Sequence, residues 1–145
     1  MDKKGVTLIE LIVVVVIIAI GAVLTIPNMG SWIQSYRLRS AARGIVSTMR
    51  VAQMKAVSNN MEYQVVITGG SYKLERNSGG WVQEGDTETF PAGITIFNNT
   101  FVNPAGNPLF RPNSSSNGGT LVLQNVKGTQ QTIRVLPSTG RITIQ

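Results

Sequence analysis

Lys3-Lys-Gly5-Val6-Thr-Leu-Ile-Glu10-Leu-Ile-Val-Val-Val-Val-Ile-Ile-Ala-Ile-Gly21-Ala-Val-Leu-Thr-Ile26-Pro27 sets two cations, one anion and a long apolar run in a fixed order. Glu10 is the lone charge between Val6 and Ile26. A carboxylate within membrane-spanning sequence costs roughly 2.5–3.5 kcal/mol at mid-bilayer, and such residues are functional by default. Near the head of the run the cost is smaller, yet water is still the cheaper place. The position therefore predicts a counter-charge for Glu10 in the final assembly.

Two ordinary readings leave part of this segment unexplained. A secretory signal would use Leu11–Ile18 as its apolar core and Ala19-Ile20-Gly21 as its cleavage site. The apolar run continues past that site to Ile26, however, and Glu10 interrupts its beginning. A plain single-span anchor needs about 20 apolar residues. Leu11–Ile26 falls short of that, and adding Val6–Ile9 takes Glu10 into the bilayer. Lys3 and Lys4 would hold the N-terminus in the cytoplasm, which accounts for topology and leaves Glu10 without a role.

Lys3-Lys4-Gly5 followed by Val6-Thr-Leu-Ile-Glu10 and the Val/Ile run resembles the N-terminus of type IV prepilins and of pseudopilins from type II secretion systems. Val6 stands where the family more often has Phe or Met. The resemblance implies that residues 1–5 are a leader, cut after Gly5 by a prepilin peptidase that then methylates the amine of Val6. It implies a bacterial inner-membrane protein, single-pass, with its N-terminus cytoplasmic and its head periplasmic, which joins other pilins or pseudopilins in a filament. Glu10 would face the N-terminal ammonium of a neighbouring subunit and set axial register. Residues 6–27 are then the transmembrane and filament-core helix.

Helical periodicity continues beyond Pro27. Leu38, Ala41, Ala42, Ile45, Met49, Ala52 and Ala56 recur at three- and four-residue spacing, an apolar face that predicts an amphipathic helix over 28–60. Asn59-Asn60 is its expected stop. From Val6 to Val57 one helix would extend about 80 Å, with a kink at Pro27 from the lost hydrogen bond. Arg39, Arg43 and Arg50 share a face that reads as solvated.

Beyond Met61 the pattern becomes short alternating runs broken by Gly, Pro and Asn. Strands are predicted at Tyr63–Thr68, Ser71–Arg76, Trp81–Glu84, Ile94–Phe97, Thr120–Gln124, Thr132–Leu136 and Arg141–Ile144. Gly69-Gly70 signals a hairpin, and Asn98–Gly119 reads as a long surface loop. The fold class is α+β: a long N-terminal helix packed against a small antiparallel β-sheet head at 61–145. Ala41-Ala42-Arg43, Arg50–Ala56, Gly106–Phe110, Gly119–Leu123, Ile133–Val135 and Gly140-Arg141-Ile142, in that order, resemble the GspH/FimT class of minor pseudopilins and pilins.

Composition narrows the chemistry. The chain has 145 residues, no Cys and no His, so disulfides and the usual soft metal sites are absent. Carboxylates cluster only at Glu84, Asp86 and Glu88, which reads as an acidic strand-to-turn patch. No cofactor, no metal and no enzymatic role are expected, since general acid–base work needs positioned groups with tuned pKa values. The net charge of +6 leaves room for acidic partners. A FimT-like DNA-binding pilin is the alternative, with Lys127, Arg134 and Arg141 as possible phosphate contacts. The resemblance implies a Gly-Arg-x-Arg element for that activity; Thr143 stands at the second Arg, and no aromatics interleave the cations.

Overall fold

The computed structural model describes residues 6–25, 29–102 and 106–145. Gly5 and Pro27, and with them the expected cut and kink, lie outside these residues. The chain divides into two compact units, Met1–Ile33 and Gln34–Gln145.

In the first unit, α1 (Leu8–Thr25) is an 18-residue helix. From Leu8 to Ile20 every side chain is exposed. A helix that is apolar all round belongs among lipid or other helices, so this segment leaves its hydrophobic stabilisation to other molecules. At 1.5 Å per residue it is about 27 Å long, just under the roughly 30 Å of a hydrocarbon core. Among the described residues, no helix is long and apolar enough to cross a membrane.

The second unit is built on α2 (Met29–Asn59) from Gln34 onward. Its predicted stripe is the buried one: Leu38, Ala41, Ala42, Ile45, Met49, Ala52 and Ala56 are each at most 4% exposed. A helix owes most of its stability to such a packed face rather than to propensity. The helix ends as its sequence predicts. Asn60 takes φ 52°, and Met61 N–H returns to the Ala56 carbonyl at 3.3 Å, a left-handed C-terminal cap.

Two antiparallel sheets follow, where one was expected. The first contains β1 (Tyr63–Thr68), β2 (Ser71–Asn77), β3 (Trp81–Gln83), β4 (Glu88–Thr89) and β6 (Leu109–Phe110), in the order β3-β2-β1-β6 with β4 also on β2. The second contains β5 (Ile94–Asn99), β7 (Gly119–Asn125), β8 (Gln130–Val135) and β9 (Ile142–Ile144), ordered β5-β7-β8-β9. Inward residues of both sheets, Tyr63, Val65 and Leu74 from one and Leu121, Leu123, Ile133 and Val135 from the other, join the α2 stripe in one core. Each buried aliphatic side chain there contributes roughly 1.5–3 kcal/mol.

All seven predicted strands form, with ends shifted by up to two residues. The stretch read as a long surface loop is corrected. Within it Phe110 is fully buried and Asn107 is 2% exposed, and Leu109–Phe110 pair with Tyr63 and Gln64 of β1. Asn107 explains the difference, because its Oδ1 accepts the Ile67 N–H at 3.1 Å and so acts as a surrogate strand. Its carbonyl accepts from Asn117 Nδ2 at 2.8 Å, while Asn117 Oδ1 accepts the Leu109 N–H at 2.9 Å.

Candidate functional site

The N-terminal site is organised by Thr7. The Glu10 N–H donates to Thr7 Oγ1 at 3.4 Å and to the Thr7 carbonyl at 3.1 Å, and the Leu11 N–H reaches the same carbonyl at 3.2 Å. Thr7 is thus the N-cap of α1, and Glu10 lies at the third helical position, where a carboxylate favours the positive end of the helix dipole. Thr7-x-x-Glu10 is a capping-box pattern, a signal carried by the sequence spacing itself. Val6 is 75% exposed, and Glu10 is exposed as well.

The three cations considered for nucleic acid are all exposed, yet the fold gathers only two of them. Arg134 pairs in register with Thr143, and the Leu136 N–H donates to the Arg141 carbonyl at 3.0 Å. Arg134 and Arg141 therefore lie diagonally on the outer face of the second sheet, a spacing of about 7–8 Å. Lys127 sits in the turn at the far end of the β7–β8 hairpin, beyond the Gln124–Gln130 pair.

The acidic patch is used in fastening the unit. Glu84 Oε1 takes an ion pair from Lys55 of α2, and its Oε2 accepts from the Tyr63 hydroxyl at 3.1 Å. The Tyr63 oxygen in turn accepts from Asn59 Nδ2 at 2.7 Å. The Lys55 hydrogen bond, outweighing a burial penalty and helped by Tyr63, holds the Glu84 carboxyl below its usual range. Glu88 accepts from the Tyr72 hydroxyl at 2.8 Å. Burial first, then that hydrogen bond and the charge of Glu88, push the Tyr72 phenol well above its ordinary value. Among the described residues, no three His, Cys, Asp or Glu are grouped to hold a metal.

The Gly-Arg tail has a structural reason for its glycine. Gly140 has φ +59°, and a β-carbon there would stand 2.7 Å from the Ser114 carbonyl oxygen and 2.7 Å from Gln53 Nε2. Gln53 also donates to the Thr139 carbonyl at 3.1 Å. The tail is clamped between α2 and the Arg111–Ser115 turn.

Residues 41–144 match the family described as type II transport protein GspH. The chain belongs to the GspH family. Residues 1–26 match the prokaryotic N-terminal methylation motif. Among solved structures, the minor pseudopilin EpsH from the type 2 secretion system of Vibrio cholerae superposes with TM-score 0.64 at 12% identity, over 75% of this chain and 96% of that one. The type IV minor pilin FimU of Pseudomonas aeruginosa gives TM-score 0.59 at 16% identity, over 79% and 92%. No curated protein matches the chain. This GspH-family member carries the N-terminal methylation motif and has the fold of these pseudopilin and pilin structures.

Proposed function

We propose that the chain enters the inner membrane through α1 with Lys3 and Lys4 on the cytoplasmic side, is cut between Gly5 and Val6, and joins a periplasmic filament or its tip. The positive-inside rule orients the insertion. Moving α1 from lipid into a bundle of like helices exchanges similar apolar surroundings and needs little net free energy. The head at 61–145 then makes lateral contacts.

One observation carries the reading: α1 is exposed and apolar on every side, and its one acid stands in the first turn. The Glu10 carboxylate pairs with the amine of a neighbouring Val6. At about 4 Å such charges attract by roughly 4 kcal/mol at an effective dielectric of 20. Desolvation removes much of this gain, so the pair fixes register more than it adds stability.

The test combines two measurements. N-terminal sequencing of the mature chain should begin at Val6, and a Glu10→Ala chain should enter the membrane and be missing from the filament. A mature chain that keeps its first five residues, or a Glu10→Ala chain incorporated at the wild-type level, overturns the proposal.

A further inference from the structure

Charge is segregated in the Gln34–Gln145 unit. Lys55, Lys73, Arg76 and Arg111 each have a carboxylate partner, all of them around the first sheet. Beyond Glu88 the chain has no acidic residue at all. Arg39, Arg43 and Arg50 on one flank of α2, with Lys127, Arg134 and Arg141 on the second sheet, are exposed and form no ion pair among the described residues.

This cationic side borders an open sheet edge. Among the described residues, strand β9 pairs only with β8. The Thr132–Gln145 pair exchanges both of its hydrogen bonds, and Arg141 receives the Leu136 N–H. Residues 141, 143 and 145 thus spend their backbone groups on β8, and the N–H and C=O of Ile142 and Ile144 point to the free side. Ile144 is 40% exposed. It lines a groove of about 340 Å³ with Ala42 and Gln131 between Arg39 and Arg43.

We propose that the β9 edge takes up an extended acidic segment of a partner protein as an added strand, with Arg39 and Arg43 holding its carboxylates. Alternate side chains of such a strand face Ile144 and the arginine-flanked groove, while the others lie beside Arg141 on the outer face. Cations at a sheet edge refuse neutral and basic strands, which protects the chain from self-pairing. The same cations admit an acidic strand, so main-chain bonds supply affinity and charge supplies selection. A phosphate polymer would use the arginines and leave the Ile142 and Ile144 amides and carbonyls unused, which is why a polypeptide is the better fit.

This inference rests on the filament-subunit reading only for where the segment comes from; binding by the purified full chain is independent of processing and of Glu10. Fluorescence anisotropy of a labelled peptide of alternating glutamate and valine, titrated with the full chain in non-ionic detergent, should show saturable binding that weakens with salt. The R39E/R43E double variant should keep the wild-type melting temperature and bind at least about tenfold more weakly. Two peptides N-methylated on opposite alternate residues keep every charge; one should lose binding at least about tenfold and the other should keep it. Equal binding by the two methylated peptides, absence of binding at low salt, or tighter binding of a single-stranded oligonucleotide or of phosphatidylglycerol vesicles overturns the proposal.

Discussion

The hydroxyl of Tyr72 lies 2.6 Å from the point where a β-carbon on Gly44 would stand. Small residues on α2 let the first sheet approach the helix this closely, and Tyr72 cannot easily retreat. It is 4% exposed, bonded to Glu88 at 2.8 Å and packed against Phe90 with ring centroids 5.2 Å apart and planes tilted by 41°. Gly44→Ala gains roughly 0.8–1.0 kcal/mol of helix propensity but overpacks the contact by about 1–3 kcal/mol. We expect a net loss of about 1 kcal/mol in urea denaturation. Adding Tyr72→Phe removes the obstructing oxygen and should recover the difference between Ala and Gly. A stabilised Gly44→Ala single variant would show that the ring swings aside at no cost.

Glu84 makes the fold sensitive to acid. Its carboxyl is held below the ordinary 4.5, as is that of Glu75, where the hydrogen bonds from Lys73 and Gln64 outweigh the burial that would raise it. A depressed folded-state value means that the unfolded chain takes up protons first as pH falls. The stabilisation is therefore complete above the unfolded value and drains away as pH drops through the lower folded values. Denaturation curves at about pH 6 and about pH 3 should differ less for Glu84→Gln than for wild type. Parallel pH dependence in the two chains would dismiss Glu84 as a fastening point.

Asn107 is the most consequential side chain in the segment between β5 and β7. Asn107→Ala leaves the Ile67 N–H without its acceptor at 3.1 Å. The loss should be about 1–3 kcal/mol, the cost of an unsatisfied partly buried donor. Hydrogen exchange at Ile67 should accelerate with it. An unchanged exchange rate at that amide would mean that solvent already serves it.

Most of the architecture was legible because it follows from periodicity. The α2 stripe is spaced for a helix and β2, β7 and β8 alternate for strands, so local pattern and tertiary burial agree. The Asn98–Gly119 stretch departs from its loop-like composition for a physical reason: Asn, Ser and Gly are turn formers by composition. Whether Asn107 bonds to its own neighbours or to Ile67 forty positions earlier depends on folding that no local window contains. Strand β4 was missed likewise, since Glu88 and Thr89 are two exposed polar residues held by their β2 partners. At the N-terminus the position of Glu10 at the head of the apolar run was readable directly, while its counter-charge is a proposal. The cap made by Thr7 was readable too, from the Thr-x-x-Glu spacing.

Gly140 and Arg141 are neighbours in sequence with opposite expected tolerance. Gly140→Ala puts a side chain at φ +59° and against a backbone oxygen that cannot rotate away. A left-handed non-Gly residue costs roughly 1–2 kcal/mol before the contact is added, so the expected loss is about 2 kcal/mol or more. Arg141→Ala removes an exposed side chain that forms no ion pair among the described residues and should stay within about 0.5 kcal/mol. Thermal melts of the two variants side by side check this. Equal destabilisation would relocate the importance of the tail from its backbone to its charge.

Glu10 and Thr7 make two roles for one carboxylate separable. If Glu10 serves only to complete the helix start, glutamine is an adequate replacement, because capping boxes use Glu or Gln at this position. A counter-ion for the Val6 amine must carry charge, and glutamine carries none. Glu10→Gln should therefore leave the helicity of the detergent-solubilised chain unchanged by circular dichroism and yet abolish filament incorporation, the outcome expected of Glu10→Ala. Thr7→Ala should do the reverse, fraying the first turn at a cost of about 1 kcal/mol while leaving the carboxylate free to pair. Full incorporation of Glu10→Gln would assign the residue to the helix cap, and the register of the filament would have to be set by apolar packing alone.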